Sequence, residues 1–534
     1  MEFLEKIKKF EIDEVFSKWF KNQTIASKYA LISALIIGFI SHLFVYTGRY
    51  FGNHDVGLYG GFGGRIDPVI ESGRWFNRII TRISYDHIMP LLIGIFVSIF
   101  LAITAFYICK IFNINKKVNA IIIGGLLATF PSIAFTNLFL YDTANYHFGV
   151  MLAVLAVYVT KRFKFGFFAG AILIMLTLAI YQAKFNVAIT LCVLWLIVHS
   201  LETKFNIKDA LKYIYRFILM IGLGTLLYVF SMYISFNIHG QSFGGNRGFS
   251  PDSVHDRVFS LSGFFENFVQ VYRDFFASFL GDFYPVTIWL YYSYIILAIL
   301  AIIYLIINFV KKGIYKNFFR MSYILFLLAI IPFVSNFAGF LATDVYGLMI
   351  YSFVLFIIFC VILSEITKTS VKVLRTIVII FSFIIITNYT VGNNYYYLRA
   401  YFFNQRMMSL TTRLVARIDY LLPQIQSDTK EITFFGVMPN RYHQDVSRFL
   451  HFGRTKDGGL NHNPYILFAN DSWEHHHRNI TGFNSLHGVP LQALTDRVKR
   501  EEIRALVISR NMPVWPASGS IDIINDVIVI NFGL

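Results

Sequence analysis

Along this chain apolar residues come in long runs, and polar residues cluster briefly between them. About 20 apolar residues in a helix cross the hydrocarbon of a bilayer. Runs of that order recur about eleven times, over 29–48, 90–109, 118–138, 147–160, 166–182, 186–201, 217–237, 285–310, 321–341, 345–365 and 372–391. The fourth and sixth are short. The stretch 261–280 is also apolar but is interrupted by Glu266, Arg273 and Asp274, so it is not read as a span. From 392 onward the pattern is that of a soluble protein. A helix is expected over 395–422, stopped by Pro423, and another over 491–502. Strands are expected over 432–437, 505–509 and 526–531, where β-branched residues are flanked by turn formers.

The pattern predicts an all-α polytopic membrane protein, with a body over 29–391 and a small C-terminal α/β domain over 392–534. Composition agrees: of 534 residues, 56% are hydrophobic and only 15% charged, far too apolar for a soluble fold. Residues 1–28 are charged and lack an apolar core, so a cleavable signal peptide is not expected. Their aromatic and aliphatic residues alternate with lysines, as in a helix lying on the inner leaflet. Cys109, Cys192 and Cys360 fall in or beside apolar runs and read as packing residues, with no disulfide framework.

Charge sets the orientation. With the N-terminus inside, the cytoplasmic segments up to residue 375 carry 23 Lys and Arg, against 9 for the opposite loops. Positive loops stay in the cytoplasm, so the N-terminus is placed inside and, with an odd number of spans, the C-terminal domain outside. Much of the formal +16 is then a topology signal, and no nucleic-acid partner is expected.

The candidate chemistry lies on the outer side. The loop 50–87 holds Asp55, Arg65, Asp67, Arg74, Arg78, Arg82 and Asp86 around a glycine-rich stretch. Asp55, in water at the membrane boundary, suits a general base; its bland alternative is a solvated aspartate or a salt bridge to Arg65. Arg74, Arg78 and Arg82 are spaced to form one stripe on a helix. The stripe either rests on anionic headgroups or supplies a phosphate ligand, for which the guanidinium fork is well shaped; Arg65 and Arg74 are the preferred ligands. In the second loop Asp142 is the one acid, and a carboxylate between two apolar spans tends to be functional. Asn145, Tyr146 and His147 beside it suit sugar hydroxyls, with belt aromatics as the alternative for Tyr146. Gln182 and Lys184 punctuate the next outer turn, where a lysine on the wrong side for topology hints at phosphate. The long loop 238–284 contains Arg247, His255, Asp256 and Arg257 in Gly- and Ser-rich sequence, as a lid over substrate would. The histidines at 475–477 read as a polar surface turn rather than a zinc site.

With these residues in view the chain resembles the type II glucosyltransferase family of bacterial O-antigen modification, within the GT-C class of polytopic glycosyltransferases. The resemblance rests on Asp55 after the first span, ESGRW at 71–75, LAIYQAKFNVA at 178–188, LVARID at 414–419 and VWPASGSIDIINDVIVI at 514–530. It implies a bacterial inner-membrane enzyme that takes a sugar, glucose by preference, from a polyprenyl-phosphate donor. The acceptor would be a cell-surface polysaccharide such as the O-antigen of lipopolysaccharide, on the extracytoplasmic side. Asp55 would be the base of an inverting displacement. Arg65, Arg74 and Lys184 would bind the donor phosphate, and Asp142, Tyr146, His147, Gln182 and Arg247 the substrates. No residue is assigned to a metal; a single acid at Asp55, where a pair is common in the class, leaves the help of a divalent cation, Mg or Mn, open. The competing readings are an O-antigen polymerase or ligase, and a lipid-linked-sugar transporter or flippase. A transporter predicts charges mid-span, and the spans are nearly free of them.

Overall fold

A computed structural model describes residues 17–18, 20–48, 66–84, 87–242, 260–281, 287–342, 345–367, 372–424, 430–437, 473–489 and 491–533. The apolar runs are helices. Among the described residues nine are long and apolar enough to cross a membrane, and the shorter Gly166–Ile180 and Ile350–Ile366 account for the remaining two runs.

The membrane helices used below are α1 (Ile25–Thr47), α4 (Pro90–Ile111), α5 (Lys117–Thr129), α6 (Leu140–Arg162), α7 (Gly166–Ile180), α8 (Phe185–Ser200), α9 (Ile207–His239), α11 (Ile288–Lys311), α12 (Phe318–Ala329), α13 (Val354–Ile366) and α14 (Lys372–Leu421). Two short helices, α2 (Ile66–Glu71) and α3 (Trp75–Thr81), follow α1, and α10 (Leu261–Leu280) lies between α9 and α11. Helix α10 is amphipathic and is not among the membrane-crossing helices, as its interrupting charges predict.

Small residues bring the first helices together. Ala30, Ala34 and Gly38 recur every four residues on α1 and face α5, where a Cβ on Gly124 would lie 2.5 Å from the Ala30 carbonyl oxygen. In lipid, such close backbone approach supplies the packing that the hydrophobic effect cannot. Helix α4 packs on α1 and α6, α7 lies between α6 and α9, and α8 is buried against α6, α9, α12 and α13. Helix α14 closes the bundle against α1, α5 and α11.

Helix α14 does not stop at the membrane. The eleventh apolar run and the helix expected over 395–422 form one element of 50 residues. Its distal half, through Phe403, Met407, Leu410, Leu414 and Ile418, becomes part of the core of the C-terminal lobe. That lobe holds β1 (Glu431–Phe435), α15 (Trp473–His487), β2 (Gln492–Ala493), α16 (Arg497–Ser509), β3 (Ile521–Ile524) and β4 (Val527–Asn531), with strand order β2-β1-β4-β3. Strand β1 runs parallel to both neighbours, and β3 and β4 form a hairpin. The hairpin turns on Asn525 and Asp526, at φ 52° and 61°, the left-handed pair that a two-residue hairpin needs. Side chains alternate across the sheet: Ile528 and Ile530 face α14, while Val527 and Val529 face α16. Both faces are covered, so β4 reads as an unbroken apolar run.

The stretch 505–509, expected as a strand, is instead the end of α16. Its β-branched residues misled: the Asp496 carboxylate caps the helix by accepting from the Val498 and Lys499 amides at 2.8 and 3.2 Å. Ile503 and Val507, one turn apart, then bury against the sheet. The helix expected over 491–502 accordingly starts later, after β2.

Candidate active site

The chain rejoins the bundle at Gly73. Helix α2 ends there, with the Gly73 amide donating to the Ile70 carbonyl at 2.7 Å and the Arg74 amide to Val69 at 3.1 Å. Gly73 has φ +74°, and a Cβ on it would lie 2.5 Å from the Tyr228 hydroxyl and 3.0 Å from Met232 Sδ. A left-handed C-terminal cap under another helix is a place for glycine alone.

Arg74 follows as the N-cap of α3. The expected stripe of Arg74, Arg78 and Arg82 on one helix is therefore broken, because α3 spans only seven residues and Arg82 starts a separate turn. Arg74 is half-buried, its Nε donating to Gln182 Oε1 at 3.4 Å and its guanidinium 4.5 Å from the Tyr181 ring centre. Among the described residues nothing accepts from its two terminal nitrogens. Burial works to lower its pKa, but the fields of Tyr146, Tyr181, Asp142 and Tyr228 outweigh it and the net shift is upward. The charge is firmly kept. Gln182 anchors this half of the site: its Nε2 donates to the Ser72 carbonyl at 2.7 Å and to the Tyr228 hydroxyl at 2.9 Å.

Asp142 organises the other half from the first turn of α6. Its Oδ1 accepts from Asn77 Nδ2 at 2.8 Å, and its Oδ2 accepts from the Tyr146 hydroxyl at 3.3 Å. Asn77 is itself fixed, its Oδ1 accepting from Asn145 Nδ2 at 2.6 Å. Hydrogen bonds to a charged group contribute about 1.5–3 kcal/mol each, which offsets the cost of holding a carboxylate at the membrane edge. The two halves meet through Tyr146 and Tyr181, stacked at 4.5 Å and 24°. Arg74, Asp142 and Gln182 all remain partly exposed, so a cation, a carboxylate and an amide share one mouth.

Two expected ligands lie deeper. Lys184 is wholly buried, its Nζ donating to the Leu348 carbonyl at 2.8 Å and standing 5.7–5.8 Å from the rings of Tyr146, Tyr181 and Tyr351. In this arrangement its amine lies under the aromatic rings at the floor of the site. His147 is also wholly buried, one position past Tyr146 and turned to Thr136 Oγ1 at 3.1 Å and the Tyr351 ring at 5.8 Å. Consecutive residues on a helix face different ways, so the buried Tyr146 turns its hydroxyl to Asp142 while His147 packs on another side. Asp55, Arg65 and Arg247 lie outside the described residues.

Asn77 and Tyr228 complete the site without having been singled out in the sequence. Asn77 left a faint signal as the one uncharged amide among the apolar residues of α3. Tyr228 left none, being one of many aromatics along α9.

Residues 58–411 match the family model described as Glucosyl transferase GtrII. The match covers about two thirds of the chain, takes in every site residue placed above, and starts three positions after Asp55. No curated protein and no solved structure matches the chain.

Proposed function

The chain belongs to the GtrII glucosyltransferase family, and from that premise we propose that it moves a glucosyl unit from a polyprenyl-phosphate donor to a cell-surface polysaccharide on the extracytoplasmic side. The observation that carries this reading is the shared mouth of Arg74 and Asp142. It gathers side chains from three separate stretches of chain at the bilayer edge, where a lipid-linked donor and a water-soluble glycan meet. Lysine and arginine on the loops at the other end of the bundle support placing this mouth outside.

In the proposed reaction an acceptor hydroxyl oxygen attacks the anomeric carbon, and the bond from that carbon to the phosphate oxygen breaks. The hydroxyl proton passes to Asp55, and the electron pair leaves with the polyprenyl phosphate. Configuration inverts. Arg74 holds the departing phosphate with its two terminal nitrogens, a fixed cation where charge develops, and Arg65 adds a second. Asp142, aligned by Asn77 and Tyr146, accepts hydrogen bonds from sugar hydroxyls, and Tyr146 and Tyr181 give the sugar an aromatic wall. Arg247 contributes from the long fourth loop. Lys184 and His147 act from behind the wall as positioning residues. A phosphate leaves readily, so the step needs no separate acid.

The test is transfer of labelled glucose from polyprenyl-phosphate-glucose to extracted surface glycan by purified protein. Wild type transfers, and Asp55→Asn loses about 10³-fold while remaining folded. Equal activity in the two proteins removes Asp55 from the reaction and moves the base to Asp142. Absence of transfer by wild type from any of several polyprenyl-phosphate sugars overturns the donor class.

A further inference from the structure

At the end of the bundle away from the mouth lies a cavity of about 710 Å³. Lys161, which lines it, is 19 positions beyond Asp142 on α6, roughly 28 Å at the rise of an α-helix. The two places are on opposite sides of the membrane body. The volume falls in the range of small-molecule sites.

Its wall combines three kinds of group. Lys161, Lys311 and Lys312 supply cations. Two carboxylates also line it but are answered locally. Glu365 accepts from the Asn115 and Lys116 amides and from Asn119 Nδ2, and Glu202 faces His199 Nδ1 at 3.3 Å. The second kind is aromatic: Trp195 and His199 stack at 5.0 Å and 9°, with Tyr213 edge-on to Trp195 at 4.4 Å. The third is a pair of buried polar atoms, His199 Nε2 and Asn308 Oδ1, with no hydrogen-bond partner among the described residues.

The lysines also finish helices, Lys161 bonding the Ile111 carbonyl and Lys312 the Leu201 carbonyl. Helix capping explains those bonds. It explains neither the open volume nor two orphaned buried atoms, whose desolvation goes uncompensated. A ligand that answers all three kinds of group has an anionic head for the ammoniums, a flat or hydroxylated body against Trp195 and Tyr213, and hydroxyls for His199 and Asn308.

We propose that this cavity binds a phosphorylated polyol, either as the headgroup of a membrane glycerophospholipid or as a free phosphate ester. This goes beyond glucosyl transfer, and its readout is binding, so it stands or falls apart from the reaction above.

The experiment uses the full chain in detergent. Native mass spectrometry compares retention of phosphatidylglycerol and phosphatidylcholine, and thermal unfolding is followed with glycerol 1-phosphate. A lipid headgroup gives preferential retention of phosphatidylglycerol, cut about fivefold by Lys311→Glu and by Trp195→Leu but unchanged by Lys164→Gln, a basic residue of the same face that does not line the cavity. A free ester gives a raised Tm with glycerol 1-phosphate that the same two variants lose. Lys311 is exposed and its substitution leaves the core intact, so a folding failure of Trp195→Leu does not remove the test. Equal retention of the two lipids with no glycerol 1-phosphate shift overturns the proposal. So does an equal loss on Lys164→Gln.

Discussion

In its first turn helix α6 carries Asp142, and in its last turn Lys161. The two ends hold their charges by different means. Asp142 is bonded by side chains, Asn77 from α3 and Tyr146 from its own helix, and the neighbouring Arg74 is held by Gln182. At the far end the cations go to backbone: Lys161 to Ile111, Arg216 to Thr160 and Phe163, Lys312 to Leu201, Arg320 to Ser200 and Glu202. A cation on helix-end carbonyls completes groups that every helix leaves open, and any donor of sufficient reach serves. A constellation of side chains from separated stretches depends on the identity of each member. The first arrangement finishes helix ends; the second gathers a particular set of side chains from separated stretches.

Substitutions sharpen this contrast, and of those at the two ends of α6 the largest effect belongs to Asp142→Asn. It keeps the shape and removes the charge, and transfer falls about 10²-fold in purified, folded protein; an unchanged rate would sink the role given to Asp142. Arg74→Lys comes next. A lysine keeps the charge but loses the planar fork, and transfer falls about tenfold to a hundredfold, whereas Arg82→Lys leaves it unchanged. If the two variants behave alike, Arg74 is only another surface cation. Gly73→Ala strains the left-handed cap by about 1–3 kcal/mol and drives a methyl toward the Tyr228 hydroxyl. Tyr228→Phe in the same chain relieves the clash, so the double variant is more stable than Gly73→Ala alone; a purely additive cycle would contradict the close approach. The smallest effect is at the far end. Arg320→Gln lowers unfolding stability by about 1 kcal/mol and leaves transfer per folded molecule unaltered, measured on the same preparation. A selective loss of transfer there would erase the contrast between the two ends.

Much of the membrane architecture was legible because a helix in lipid must be apolar for its whole length, and that constraint writes itself into the sequence. Among the described residues each of the eleven apolar runs is helical, though 118–138 and 321–341 are broken into shorter helices and 345–365 starts with turns. Ends shift by a few residues where polar first turns such as that of α6 belong to the helix rather than the loop. Strands β1 and β4 were legible for a similar reason, as dense β-branched runs. What failed depended on neighbours. Residues 505–509 have strand-like composition, yet an aspartate cap nine positions earlier and a helix-spaced pair of buried residues commit them to α16. The arginine stripe assumed one helix through Arg82, but α3 stops at Thr81, with Arg74 only its cap and Arg82 in the next turn. At the site, Arg74, Asp142, Tyr146 and Gln182 stood out as polar residues at span ends and are brought together. Asn77 and Tyr228 join them only through tertiary contact. Lys184 and His147 were legible as unusual residues but not as buried ones, since burial depends on which way a helix is turned.

Helix α14 has a geometric consequence. Because it runs unbroken from the membrane into the floor of the C-terminal lobe, it acts as a ruler about 75 Å long, at 1.5 Å per residue. Inserting one residue beyond the membrane lifts the lobe by that increment and swings it through about 100°, carrying β1 to β4 to a different bearing over the bundle. Length changes here are therefore changes of compass heading, in a part of the chain where sequence alone shows only one more polar residue.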